Sequence, residues 1–270
     1  MAAGTLRTRS RFIESRQNPR VKELRAAFAR TGRTSGGLVA IEGEHLVAEA
    51  ARSHLRFASI FLRDGYAPRI ELPEDAEHLL LSPDVFASAV ATEHPQGIAA
   101  LVHPPEYSAP MVFRQTTPLI LVLAGLQDPG NVGTLLRSAE AFGSTGVLLL
   151  PGTASPWNQK ALRASAGSAF RVPAISQCED DALKLLTQHS IPVVAAVARG
   201  GTAIDKAPFA DACALLIGNE GAGLSDSLMA TARHRVTIAM PGKVESLNAA
   251  IAGSLLLYEA SRQRRRPTPP

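Results

Sequence analysis

Long apolar runs are missing from this chain. No stretch approaches the ~20 residues that a membrane-spanning helix needs, and the longest candidate, residues 118–126, has the length of a buried strand. Cysteine is scarce: Cys178 and Cys213 are the only two, and neither lies in a C-x-x-C. That excludes a disulfide framework and suits a reducing cytosol. The seven histidines are scattered with no pair at metal-ligand spacing, so no metal site is expected. A secretory signal is also lacking, because the Arg-rich start is not followed by an apolar stretch. Residues 1–13, Arg-rich and acid-free, retain the composition of an organelle transit peptide. The expected location is the cytoplasm, with an organelle matrix as the alternative.

Several signatures of nucleotide and hydrolase chemistry are absent too. Gly125 to Gly130 has the spacing G-x-x-x-x-G, but Asn131-Val132 stands where a P-loop carries Lys and Ser or Thr. Without the phosphate-binding lysine and the metal-binding hydroxyl, an NTPase reading fails. No G-x-G-x-x-G occurs; Gly218, Gly221 and Gly223 run in the reverse spacing, which weakens a dinucleotide-binding reading. No G-x-S-x-G is present for a hydrolase elbow.

What is present is enough apolar material for a core: 46% of the 270 residues are hydrophobic, which supports one large domain or two ordinary ones. Charge is unevenly placed. Residues 1–33 hold nine basic side chains against Glu14 and Glu23, although the whole chain is only +4. Arg262, Arg264, Arg265 and Arg266 form a second basic cluster at the other end. Basic ends on a near-neutral body suggest a polyanionic partner; a merely solubilising tail is the competing reading.

The pattern of elements is α/β. Residues 11–35 read as a basic helix starting near Asn18-Pro19. Residues 38–41, 59–62, 78–81 and 97–103 read as short strands, with helices after Gly43 and after Ser82 or Asp84. Residues 104–118, with four prolines and little periodicity, read as a linker. Beyond it, the Val/Leu/Ile-rich runs 119–124, 146–150, 193–197, 214–218 and 236–238 are typical of strands buried on both faces. Helices are expected between them at 131–142, 157–167, 179–189, 224–231 and 246–262, giving a mostly parallel, doubly covered sheet.

Three segments of this second half share the layout of a strand end, a polar or glycine-rich loop and a helix start. They are Asn131 to Gly143, which contains Arg137; Leu216 to Ser225, which contains Gly218, Glu220 and Gly223; and Ile238 to Asn248, which contains Met240, Ser246 and Leu247. Loops at the carboxyl ends of parallel strands are where α/β proteins bind ligands. In order and spacing the three segments resemble the motifs of the SpoU/TrmH family of RNA ribose 2′-O-methyltransferases, in the SPOUT superfamily. Segments Ile41-Glu42-Gly43 and 93–100 resemble the ribosomal-protein-like substrate domain that precedes it in relatives.

The resemblance implies a substrate (RNA)-binding α/β domain at 11–103, a linker at 104–118, a SPOUT methyltransferase domain at 119–262 and a basic, Pro-rich tail at 263–270. It also implies a deep trefoil knot and a homodimer through the carboxyl-terminal domain. The implied activity is S-adenosyl-L-methionine-dependent 2′-O-methylation of a ribose in structured RNA, with 23S-type ribosomal RNA first and transfer RNA second. A non-catalytic RNA-binding or ribosome-assembly factor on the same fold is the reading from another class.

The residues divide accordingly. Gly218, Gly223, Ile238, Met240 and Leu247 are the cofactor-binding set implied by the resemblance. Arg137, Asn131, Glu220, Ser246 and Asn248 are the implied catalytic set. Arg137 lies about 140° from Val132 at 100° per residue, off the apolar face of its helix. It can stabilise the developing alkoxide electrostatically or act as base, the latter being costly because a free guanidinium stays protonated above about pH 12. Asn131 and Ser246 also read as helix N-caps. Arg16, Arg20, Lys22, Arg25, Lys160 and Arg163 are candidate RNA contacts, with solvated helix faces as the bland alternative. The final helix is expected to carry one apolar stripe, Leu247, Ala250, Ile251, Ser254, Leu255 and Tyr258, with Leu256 and Leu257 off it. Ala239 stands where relatives often have proline, and Ala249-Ala250 where they have larger β-branched residues; both changes are expected to perturb packing more than chemistry.

Overall fold

The computed structural model describes residues 11–29, 33–219, 221 and 223–265. The chain forms two compact units: Met1–Glu106 with Trp157–Phe170, and Tyr107–Pro156 with Arg171–Pro270. Among the described residues no helix is long and apolar enough to cross a membrane.

The first unit departs at once from the helix expected over 11–35. Arg11–Ile13 is a strand (β1) and the helix is Pro19–Phe28 (α1). The physical reason is local. Ile13 buries its side chain while β1 pairs in parallel with Glu77–Leu81 (β4). Asn18 then caps α1 by accepting from the Arg20 N–H, with Pro19 at the first helical position. Val39–Glu42 (β2), Phe57–Arg63 (β3), β4 and Ile98–Val102 (β5) complete a five-stranded mixed sheet in the order β1-β4-β3-β5-β2. Helices Glu44–Arg52 (α2) and Pro83–Ala89 (α3) lie between its strands in the sequence. The core on one face joins Val21, Leu24 and Phe28 of α1 to Phe61, Leu79, Leu81 and Phe86.

The two segments that carry the substrate-domain resemblance meet in this unit. The buried Glu42 accepts at one oxygen from Thr92 Oγ1 (2.7 Å) and from the Gln96 N–H (3.2 Å). Gly43, at φ 94°, lets the Gln96 side chain lie where a Cβ would sit. Trp157–Phe170 belongs to the same unit: Gln159 Nε2 donates to the carbonyl of Ala40 on the edge strand β2, and Arg33 lies over the Trp157 ring.

In the second unit, Ala109–Val112 (α4) forms a helical turn within the proline-rich stretch, and Val112 packs into the core. Seven strands follow: Leu119–Leu123 (β6), Gly146–Leu149 (β7), Ala174–Ser176 (β8), Val193–Ala196 (β9), Thr202–Ala203 (β10), Cys213–Ile217 (β11) and Ala232–Thr237 (β12). Every pairing is parallel, in the order β10-β12-β9-β11-β6-β7-β8. Residues of β6, β7 and β11 are buried throughout, as strands covered on both faces must be. Ile120, Val122, Leu148 and Leu216 pack with Leu186 of Glu179–Gln188 (α7). On the other face lie Pro129–Ala141 (α5) and Ala249–Arg264 (α9), with Gly253 of α9 against Leu135 of α5 and Ile217 of β11. Asp226–Thr231 (α8), capped by Ser225, completes the helices of this unit, while Gln159–Ser165 (α6) belongs to the first.

Three expectations about helix ends and faces are corrected. Asp128, not Asn131, caps α5: its side chain accepts from the Gly130 N–H, and Pro129 at the first position pulls the start upstream. Asn248, not Ser246, caps α9, accepting from the N–H groups of Ala250 and Ile251. The buried face of α9 is Ala249, Ala250, Gly253, Leu256, Leu257 and Ala260, whereas Ile251, Leu255 and Tyr258 are 54%, 40% and 48% exposed. Residues 249–258 are apolar nearly all round, so their pattern does not choose a face. The close approach that Gly253 permits does: a Cβ there would stand 2.5 Å from Leu135 Cδ2.

Candidate active site

Parallel pairing sends the loops after β6, β9, β11 and β12 out at one edge of the sheet. The chain runs outward from β6 through β7 and β8, then crosses to β9 on the other side, so strand order reverses at β6 and β11. Crevices form at such reversals. A cleft of about 500 Å³ opens on the β11 side of that reversal, walled by the ends of β9, β11 and β12, the 245–247 loop and one side of α9.

All five residues expected to bind the cofactor line it: Gly218, Gly223, Ile238, Met240 and Leu247. Ser246 lines it as well. The glycines have a geometric reason to be there. A Cβ on Gly218 would stand 2.6 Å from the carbonyl carbon and oxygen of Gly223, and Gly223 itself holds φ 68°. The turn between them closes on itself, with the Asn219 N–H donating to the Gly223 carbonyl (3.0 Å) and the Gly223 N–H to that of Asn219 (2.9 Å). Backbone groups therefore form much of this wall, next to the apolar Ile217, Leu224 and Leu256. A ligand with an apolar body and a few polar groups fits such a surface.

The catalytic candidates are placed in different ways. Asn131, in the first turn of α5, accepts at Oδ1 from Asn248 Nδ2 at 3.1 Å, so the first and third motifs touch directly. Asn248 thus holds a helix end with its oxygen and a neighbouring motif with its nitrogen. Arg137 is exposed on α5, as its angular position predicts, and is not part of the cleft wall. Glu220 lies outside the described residues.

The RNA-contact candidates separate as well. Arg20 forms ion pairs with Glu23 (3.1 Å) and Glu77 (2.8 Å). Arg25 donates to the Ser88 carbonyl and hydroxyl, tying α1 to α3. Both are engaged within the unit, Arg20 while remaining exposed; Arg16, Lys22, Lys160 and Arg163 are exposed too, and Lys160 has a partner of its own.

Several wall residues were not legible in the sequence. Ala196 ends β9 and Val197 and Ala198 follow it, and nothing in a strand's own pattern says which neighbour it will take. Ala249 and Ala252 reach the cleft one helical turn apart. Ala249 was expected to matter for packing more than for chemistry; its place in the wall makes its small size part of the cleft's shape. The pattern Gly-Asn-Glu-Gly was visible as a turn, but not the hydrogen bond that Asn219 makes to another loop. Among the described residues no three His, Cys, Asp or Glu side chains gather as metal ligands.

With this geometry in hand, similarity to known proteins is specific. Residues 118–258 match the SpoU rRNA Methylase family, and residues 18–100 match the MRM3-like substrate binding domain. The chain is 34% identical over 246 residues to the 23S rRNA (guanosine(2553)-2′-O)-methyltransferase RlmP of Bacillus subtilis, across 91% of this chain and 97% of that protein. Its fold is similar to that of the SpoU methyltransferase AviRb from Streptomyces viridochromogenes, crystallised with AdoMet: TM-score 0.82, 26% identity, 92% of this chain and 98% of that one. The AdoMet-bound rRNA methyltransferase from Sinorhizobium meliloti gives a TM-score of 0.83 at 27% identity, over 94% and 98%.

Proposed function

The chain belongs to the SpoU family of RNA methylases, and from that membership we propose that it transfers a methyl group from S-adenosylmethionine to a ribose 2′-oxygen in 23S-type ribosomal RNA. The single observation that carries the reading is the cleft itself: it lies at the carboxyl ends of β9, β11 and β12, and the missing Cβ of Gly218 lets the Gly223 backbone close in to form one wall. S-adenosylmethionine supplies an electrophilic methyl group on a sulfonium. The chain's own residues hold and align. Gly218, Ile238 and Leu247 offer backbone groups to the cofactor, while Met240 and Gly223 shape the wall. Asn131, Ser246 and Asn248 orient ribose and phosphate by hydrogen bonds, Glu220 orders the site, and Arg137 lowers the energy of the developing alkoxide. S-adenosylmethionine or its demethylated product should raise the melting temperature, because a ligand that binds the native state stabilises it. Calorimetry showing no binding at millimolar ligand would sink the reading. Mapping ribose 2′-O-methyls in ribosomal RNA from cells with and without the gene identifies the nucleotide.

The first unit selects the RNA through shape, backbone and exposed bases, in the cytoplasm, where ribosomal RNA is made available to it. Arg16 and Lys22 are exposed and without ion-pair partners among the described residues. Replacing both with alanine should weaken binding across RNA sequences. The slope of log affinity against log salt should fall by about one unit for each phosphate that is no longer neutralised. An unchanged slope would make them a solvated face. Arg25 is excluded from this test because its hydrogen bonds to Ser88 are internal.

A homodimer through α9 is part of the same proposal. Ile251, Leu255 and Tyr258 form an exposed apolar face on one helix, the kind of surface a symmetric partner covers. Light scattering at micromolar concentration should give twice the 28.5 kDa chain mass, and a monomer that still methylates RNA would overturn it. The chain path is proposed to be threaded as a trefoil knot, which an experimentally traced, unthreaded path would contradict.

A further inference from the structure

The side chain of Asn219 joins two loops on either side of the strand-order reversal. Its Nδ2 donates to the carbonyl of Gly125 (2.8 Å), just beyond β6. Its Oδ1 accepts from the N–H of Gly221 (2.8 Å), inside the cleft-lining turn. The amide orientation is fixed by chemistry, since a carbonyl needs a donor and an N–H an acceptor. Nearby, the Ala124 N–H donates to the Ile217 carbonyl (2.9 Å), so the two strand ends are already in register where Asn219 bridges them. The Gly125 loop is held on its other side by Thr153, whose hydroxyl accepts from the Gly125 N–H (3.0 Å) and donates to the Leu123 carbonyl (2.9 Å). That loop leads within three residues to Asp128, the cap of α5, and so to Asn131 and Arg137.

We propose that Asn219 is a positioning residue that makes the cofactor-holding turn and the loop leading into α5 move as one body. Through it, filling the cleft sets the alignment of the groups that handle the ribose. The inference rests on the methyltransferase reading above. Each hydrogen bond has its own consequence. The bond to Gly221 shapes the cleft, so losing it weakens cofactor binding. The bond to Gly125 transmits the shape of the turn to α5, so losing it lowers turnover even when the cleft is full. Coupling of this kind is reciprocal between the two ligands.

The two bonds can be cut separately. Asn219→Asp keeps the acceptor for Gly221 but sets a carboxylate oxygen against the Gly125 carbonyl. Asn219→Ser does the same without charge: a serine hydroxyl can accept from the N–H two residues on but is too short to reach Gly125. Asn219→Ala removes both bonds. The experiment measures S-adenosylmethionine affinity by calorimetry without RNA, and kcat at saturating S-adenosylmethionine on an unmodified 23S rRNA transcript, with the melting temperature as a folding control. For Asp and Ser we expect affinity within about twofold of the parent but kcat lowered roughly tenfold, the effect of removing one hydrogen bond. For Ala we expect both to fall roughly tenfold. Normal kcat in a folded Ser variant overturns the proposal, as does loss of affinity with normal kcat at saturation. A parent protein that binds no S-adenosylmethionine would instead overturn the methyltransferase reading.

Discussion

Arg137→Ala is expected to lower methyl transfer by about 10²-fold or more while leaving the fold and most of the RNA affinity intact. The fold should survive because Arg137 is exposed, whereas Val132, Leu135, Leu136 and Ala139 supply the buried face of α5. Substitutions at such positions usually change stability by less than about 0.5 kcal/mol. Activity should fall because a preformed positive donor aimed at developing negative charge is commonly worth that much in rate. Arg137→Lys keeps the charge but loses the planar two-armed donor, so it should recover only part of the loss. Single-turnover rates on a 23S transcript, read beside melting curves, separate the cases. Near-normal turnover in the alanine variant would show that another group stabilises the alkoxide.

The second large effect is expected at Gly218. Its replacement by alanine places a methyl group 2.6 Å from the Gly223 carbonyl, a backbone neighbour that cannot swing aside. The turn must open, and the hydrogen bonds between Asn219 and Gly223 that close it must lengthen. Misplacement of about 1 Å in a positioning wall can cost about 10²-fold, so S-adenosylmethionine affinity should fall by that order. Gly223→Ala is the informative contrast. It meets no atom within 4 Å, so its cost is the left-handed backbone alone, about 1–2 kcal/mol. Calorimetry should therefore find Gly218→Ala much the weaker binder. Equal affinities would mean that the turn adapts freely and that its closure does not shape the cleft.

Both variants test residues that the sequence already singled out, and the reasons differ. Gly218 was legible because a strand-end glycine beside two more marks a tight turn, and the turn is where the pattern placed it. Arg137 was legible by angle from its apolar neighbours. Its helix, however, starts at Pro129 under an Asp128 cap, and Asn131 serves instead as the acceptor for Asn248. An asparagine near a helix start satisfies a capping rule at several positions. Only the actual path decides which residue caps and which faces a neighbouring loop. The same ambiguity moved the start of α9 from Ser246 to Asn248. At the other end of the chain, Arg11–Ile13 could not be told from a helical lead-in, because three residues carry no period and their strand exists only through pairing with Leu79 to Leu81.

What the sequence determined by itself was local and periodic. Runs such as Leu119–Leu123 and Cys213–Ile217 are apolar at every position, and that suffices for strands covered on both faces. The order and spacing of the three motifs sufficed for the family and its chemistry. What only the tertiary structure decided was non-local: that β11 lies between β6 and β9, that Trp157–Phe170 belongs with the first unit, and that Asn219 reaches Gly125 across 94 residues of chain. It also decided which side of α9 is buried. Strand order and helix facing are set by which apolar surfaces exclude water together and by close approaches such as Gly253 on Leu135. Those energies belong to pairs of distant segments, and neither segment's own pattern contains them.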